Sequence, residues 1–260
     1  MTAWQGEDDD MPTEGLTFWE HLDVLRGCLW RVLLAAVAGG VAAFCMKGLL
    51  FDVVLAPSHG DFFLYRWLGA DAFSLCLVNT GLAEQMMVHL KVACAVGVLM
   101  ASPYIIYVLY GFVSPALYAH ERRYSVRLTL ACYVMFLVGV LLNYGLIFPL
   151  TVRFLGTYQV SPEVGNMLTI SSYVDTLLMM SLVFGAMCEM PVLSWLLGRM
   201  GVLRAEWMRR VRRHAVVAIL VVAAIITPTA DAFTLVVVSL PIWLLYEVSI
   251  FIVAKTNRLS

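Results

Sequence analysis

Glu189 stands alone as an ionisable group in "GAMCEMPVLSWLL", residues 185–197. A carboxylate among apolar neighbours costs about 2.5–3.5 kcal/mol when it sits inside a membrane, so it is rarely idle there. Three chemistries are open to it: a proton relay, a polar anchor for another membrane segment, or a structural hydrogen bond. Pro191, two places on, adds a kink and frees a backbone carbonyl nearby. Other reactive constellations fail on spacing. "HERRY" at 120–124 begins like the zinc motif HExxH, but Tyr124 occupies the second ligand position. His21, His59, His89, His120 and His214 all fall in loops or near span ends, which leaves no serine–histidine pair at depth. Cys28, Cys45, Cys76, Cys94, Cys132 and Cys188 show no CxxC or metal spacing. No glycine-rich phosphate loop occurs, so no cofactor, metal or enzymatic activity is expected.

The elements that carry Glu189 must be membrane spans. Hydrophobic residues make up 62% of the 260-residue chain and charged ones 13%, with a mean hydropathy of +0.86. Soluble domains are about half apolar and about a quarter charged. The expected architecture is therefore an all-α, polytopic membrane protein with six transmembrane helices. The spans fall at about 28–51, 85–110, 126–148, 172–197, 215–226 and 232–254, within a membrane domain over 17–254. The fifth is short: "AVVAILVVAAII" gives roughly 18 Å of helix against a core about 30 Å thick. Such a mismatch implies local bilayer thinning or recruitment of a partner. On this count Glu189 lies roughly 14 Å from the nearer end of its span, close to mid-bilayer.

Cations set the orientation. Arg122, Arg123 and Arg127 follow the second span, and six arginines from Arg199 to Arg213 join the fourth to the fifth. Arg26 precedes the first span, and Lys255 and Arg258 follow the last. The alternate loops hold only Arg66 and Arg153. The positive-inside rule then places both termini in the cytoplasm, with 255–260 as a cytoplasmic tail. Residues 1–16 are acidic, lack the basic n-region of a signal peptide, and read as a disordered leader. Thr17 and Glu20 have capping-box spacing, so a helix starts there and its first turns lie in the interface. Glu247, counted outward from the turn "TPTAD", comes level with Arg212, Arg213 and His214, where a structural salt bridge is expected.

With the spans in place, further motifs resemble one family. "HLDVLRG", "SPYIIYVLYGFVSPALYAHERR", "FGAMCEMP", "RRVRR", "TPTADAF" and "LPIWLLYE" are similar to the TatC family, the six-span core of the twin-arginine protein translocase. The similarity covers nearly everything after about residue 17. It implies a receptor in the bacterial cytoplasmic (inner) membrane that binds twin-arginine signal peptides of folded substrates at its cytoplasmic face. It also implies assembly with TatA-type and TatB-type single-span proteins, self-association in a larger complex within the lipid bilayer, and use of the proton-motive force. No nucleic-acid partner is implied. Glu121 matches the family's loop glutamate, and two guanidinium groups call for carboxylate acceptors of this kind. Phe112, Pro115, Leu117, Arg122 and Arg123 fall on the same stretch. Glu189, with Pro191, matches the intramembrane glutamate at which a polar residue of a partner helix docks. Pro57 and Asp231 match positions on the outer side, where turn chemistry also suits them.

One position departs from the pattern H-L-x-E-L-R: Val24 stands where the glutamate is expected, while Arg26 is retained. Glu20 is four residues earlier, on the same helical face, about 5.4 Å along the axis. Glu20 or the adjacent Asp23 can thus supply a second carboxylate. The alternative reading of the whole chain is a proton- or ion-coupled transporter with Glu189 as its intramembrane site, for which several converging polar residues would be needed. Orientation is directly testable. Cys76 should label from outside the cell, and cysteines placed at Arg122 or Arg209 only from the cytoplasm; external labelling at 122 would invert the topology.

Overall fold

The computed structural model describes residues 18–67, 75–113, 125–158, 167–227 and 231–256. Among these the chain is helical, apart from one two-residue parallel pairing of β1 (Leu77–Val78) with β2 (Leu168–Thr169). Helix α1 (Phe18–Cys45) is followed by α2 (Lys47–Leu55), a 3-10 turn at Ala56–Ser58 and the short α3 (Phe63–Trp67). Next come α4 (Glu84–Val113) and α5 (Ser125–Leu142), the latter running through a π turn at Asn143–Ile147 into α6 (Phe148–Thr157). Helices α7 (Ile170–Cys188) and α8 (Met190–Arg199) meet at Glu189, and α9 (Ala205–Ile226) and α10 (Ala232–Thr256) complete the bundle.

Among the described residues, five segments are long and apolar enough to cross a membrane: Leu25–Cys45, Glu84–Val108, Leu128–Thr157, Ile170–Arg199 and Ala232–Thr256. They coincide with five of the six expected spans, with two informative shifts. The first span breaks at Met46, where the backbone leaves the helical region and α2 restarts. The third runs on to Thr157 rather than 148, because Pro149 falls in the first turn of α6, where its missing N–H costs nothing. A π turn just before it absorbs the change of register. The remaining expected span, the fifth at 215–226, is the second half of α9. It continues without a break from a first half carrying Arg209, Arg210, Arg212 and Arg213. Only the apolar half is short; the whole helix is roughly 33 Å long.

Apolar burial drives little of the helix pairing when the solvent is itself hydrocarbon, so close backbone approach has to supply contact. The α1–α4 crossing does this with glycines. A Cβ on Gly39 would stand 2.7 Å from the Gly97 carbonyl oxygen, and one on Gly97 would overlap the backbone of Gly40. The α5–α7 pair uses Gly139 and Gly185 likewise, the latter against the ring of Phe136. The core these contacts enclose includes Val88, Val92, Phe148, Tyr173, Met180, Phe184, Val238 and Ile242. Outside it, large apolar side chains such as Leu34, Val41, Leu141, Ile225 and Phe251 remain exposed, as a lipid-facing surface requires.

The end of the bundle that carries β1 and β2 is tied by tyrosines. The last carbonyls of a helix lack partners within it, and α2 ends inside the protein. Tyr144 donates to the Val53 carbonyl at 2.7 Å, and Tyr173 to that of Val54 at 3.0 Å. The Ser58 hydroxyl donates to the Leu55 carbonyl at 2.7 Å. Tyr65, almost fully buried, bridges the Pro57 and Pro149 carbonyls at 2.9 and 3.1 Å. Burial pushes its phenol well above the ordinary tyrosine value, which keeps the donor proton in place. Pro57 thus works here as a buried turn residue whose carbonyl is held from α3.

The glycine crossing yields a contrast. Gly97→Val should lower the unfolding stability of the solubilised protein by about 3 kcal/mol or more, because backbone cannot yield to the added atoms. Gly27→Ala, where a Cβ meets nothing within 4 Å, should raise it by about 0.5–1 kcal/mol. Denaturant or thermal unfolding of both variants reads the difference.

Candidate functional site

The candidate site begins with a break in a helix. Pro191 has no N–H and cannot donate to the carbonyl of Met187, so the hydrogen-bond ladder of α7 ends and restarts as α8. Glu189 is the joint: its N–H donates to Ala186 at 3.2 Å, and its carbonyl accepts from Leu193 at 2.9 Å. Pro191 itself is buried, in the first turn of α8. The kink expected from the sequence is therefore a one-residue break at Glu189, within a segment that continues from Ile170 to Arg199.

The side chain of Glu189 points into protein, not into water. Both carboxyl oxygens are buried and neither has a hydrogen bond of ordinary geometry among the described residues. The thiol of Cys132 on α5 faces the carboxyl as a weak donor, and Cys188 lies beside it. A second polar group lies eight residues towards the strand end on the same pair of helices. Asn143, completely buried, donates from Nδ2 to Ser181 Oγ at 2.9 Å, while its Oδ1 is left without a partner. The α5–α7 seam thus carries two polar groups whose capacity the described protein does not use. Such groups are costly in a low-dielectric surrounding and are met by water or by an incoming polar group.

Glu247 is different in kind. Its Oε2 pairs with Arg212 Nη2 at 2.7 Å, joining α10 to the basic half of α9. The Tyr246 hydroxyl, next to it, donates to the Met208 carbonyl at 2.8 Å. The two contacts together zip the hairpin at its arginine-rich end. At the other end Asp231 accepts from the Thr234 N–H and hydroxyl, both at 2.8 Å, and so caps α10. Pro57 sits in the tyrosine-tied turn described above.

The remaining sequence-derived candidates are placed unevenly. Arg26 lies on α1 and is exposed. The backbone of Glu20 is in α1 and that of Phe112 in α4, near the end of α4 that leads to the 114–124 segment. Glu121, Arg122 and Arg123 lie outside the described residues, as do Pro115 and Leu117. The geometry therefore joins Glu189 to Pro191 and Glu247 to Arg212, and leaves the peptide-facing set unassembled. Sequence reasoning missed Cys132 and the Asn143–Ser181 pair. Asn143 had a signal, being the only amide in "VLLNYGLIF"; Cys132 had none, because its relevance comes from facing another helix.

A carboxylate that makes no hydrogen bond should be a burden on the fold. Glu189→Leu is expected to leave the protein at least as stable as the parent, by about 1 kcal/mol in its favour, since an unmet buried polar group is removed. Equilibrium unfolding in mixed micelles measures this; a marked loss of stability would show instead that Glu189 is a structural bond.

With the geometry in hand, the chain can be set beside known proteins. The profile of the "Sec-independent protein translocase protein (TatC)" family matches residues 20–241. The TatC protein of Koribacter versatilis (strain Ellin345) is 34% identical over 249 residues, covering 94% of this chain and 89% of that one. The TatC protein of Aquifex aeolicus (strain VF5) is 31% identical over 240 residues, covering 92% and 95% respectively. A crystal structure described as the twin arginine translocase receptor TatC superposes with a TM-score of 0.77 at 30% identity, covering 92% of this chain and all of that one.

Proposed function

Since the chain belongs to the TatC family of Sec-independent protein translocase proteins, membrane components of protein transport and not enzymes, we propose that it is the core receptor of a twin-arginine translocase. The family match over residues 20–241 carries this reading, and it takes precedence over an ion-coupled small-molecule transporter. In the proposed arrangement six helices cross the inner membrane, α9 being the fifth crossing with its short apolar half. Both termini and the arginine-rich end face the cytoplasm, in keeping with the positive-inside rule.

Signal-peptide recognition is assigned to the cytoplasmic end. Glu121 accepts the paired guanidinium groups of the peptide, with Phe112, Arg122 and Arg123 shaping the surrounding loop. Glu20 and Arg26 on α1 complete the surface, Glu20 standing in for the glutamate that Val24 replaces. Glu189 is assigned to partner docking. Its buried, unbonded carboxyl oxygens and the helix joint at Pro191 suit it to receive a polar group from a TatA-type or TatB-type single-span helix. Docking would satisfy the group that the bundle leaves unmet. Self-association into a larger complex and coupling to the proton-motive force complete the proposal. Pro57, Asp231 and Glu247 serve as structural supports, consistent with their bonded surroundings.

Photo-crosslinking from residue 121 to a twin-arginine peptide tests the receptor. Glu121→Ala should abolish export while the protein remains inserted, and Glu121→Asp should be partly tolerated; full export by the alanine variant would refute the assignment. In the same assay Glu20→Gln should weaken crosslinking more than Asp23→Asn, and Val24→Glu should rescue it. Glu189→Gln should keep substantial export, whereas Glu189→Leu should lose partner association but keep peptide binding. A dead glutamine variant beside a normally assembling leucine variant would point to a titrating proton site instead.

A further inference from the structure

A groove of about 560 Å³ opens between α5, α8 and α10, on the arginine-rich side of the Glu189 joint. Its walls run from Leu128 to Met135 on α5, with Val192 and Trp195 opposite and Val248 and Ile252 as its floor. Every one of these side chains is apolar except for the indole N–H. The stretch from Leu128 to Met135 spans about 10 Å of helix, and a second helix about 10 Å across would need roughly 800 Å³ over that length. The groove is narrower than that and falls in the range of about 300–1,000 Å³ typical of small-molecule sites.

The arginine-rich end of the groove is marked by charge. Arg199 follows Trp195 by four residues and so lies one turn further along the same face of α8, exposed, its guanidinium 5.6 Å from the indole centroid. Lys255 follows Ile252 by three residues on α10 and is also exposed. The two helix ends are level, since a Cβ on Gly198 would lie 3.3 Å from Val253 Cγ1. An apolar slot therefore ends at two cations, with an indole at the boundary between them, where Trp favours the membrane interface.

We propose that this groove holds an acyl chain of an anionic phospholipid, whose phosphate lies between Arg199 and Lys255. A zwitterionic lipid offers the same chain but no net charge to the two cations, which favour anionic headgroups when close to the surface. The site takes lipid from the bilayer around the protein. It stands independently of signal-peptide recognition, since neither the groove nor its cations include a residue assigned to the peptide; Pro191, at its inner end, is shared with the Glu189 joint.

Native mass spectrometry of the purified full chain tests it, with phosphatidylglycerol and phosphatidylcholine of identical chains offered in the detergent. The parent should retain phosphatidylglycerol in preference by roughly thirtyfold, as two surface cations would give. The double variant Arg199→Gln, Lys255→Gln should retain both lipids alike. Ala131→Phe and Val248→Phe each plug the groove from an exposed position and should release both lipids without lowering the unfolding temperature; if one destabilises the protein, the other supplies the test. Equal retention of the two lipids by the parent would overturn the proposal. So would retention that survives a stable plug, which would mean that the headgroup touches only the surface. A photoreactive residue at 131 that captures a polypeptide in membranes, in place of lipid, would assign the groove to a protein helix and overturn it as well.

Discussion

In hydrocarbon no water is available to satisfy a polar group, and this single constraint organises the molecule. Within a helix the backbone satisfies itself, so the problem moves to helix ends, joints and side chains. At the strand end three tyrosine hydroxyls and a serine take up carbonyls from the end of α2, from Pro57 and from the start of α6. Asp231 meets the first N–H groups of α10. At the arginine-rich end, Glu247 and Tyr246 meet groups from α9. Along the α5–α7 seam the constraint is left open at Glu189 and Asn143, and among the described residues single atoms of His89, Thr151, Thr227 and Glu247 are also buried without a partner; Glu189 is the one side chain with both oxygens unmet. A carboxylate met by nothing stronger than a thiol, at a helix joint, is the largest of these unmet demands.

The glycine crossings are the second expression of the same solvent. Because the spaces between helices and around them are equally apolar, contact depends on how near two backbones can come. Gly39, Gly40 and Gly97 let α1 lie against α4 along most of its length while its other faces remain exposed. That explains how a helix with so little buried surface keeps its place.

Much of this was legible in the sequence, and the limits have physical causes. Five of the expected spans follow from hydropathy, which is a local property. The Glu247–Arg212 pairing was also within reach, since both residues lie on one hairpin and can be counted from its turn. The proline at 191 signalled the joint, but a proline at 149 did not end its span, because a preceding π turn carried the helix across it. The tyrosine contacts were out of reach: they join residues 91 and 119 positions apart, and nothing in either segment marks its partner. Cys132 was unreadable for the same reason. The carboxylates proposed for the signal peptide rest on resemblance alone, as a loop glutamate has no signature of its own.

The α9–α10 hairpin has a consequence for how the protein is made. Its fastenings join residues 35 and 38 apart in sequence, and Asp231 caps the start of α10 within a few residues. Contacts of such short range close quickly, with little loop entropy to overcome. The hairpin is thus equipped to assemble as a unit, and can meet the α7–α8 surface already paired. For a helix whose apolar half is too short to hold a membrane by itself, arriving with its partner attached is a route to insertion that hydropathy alone would not provide.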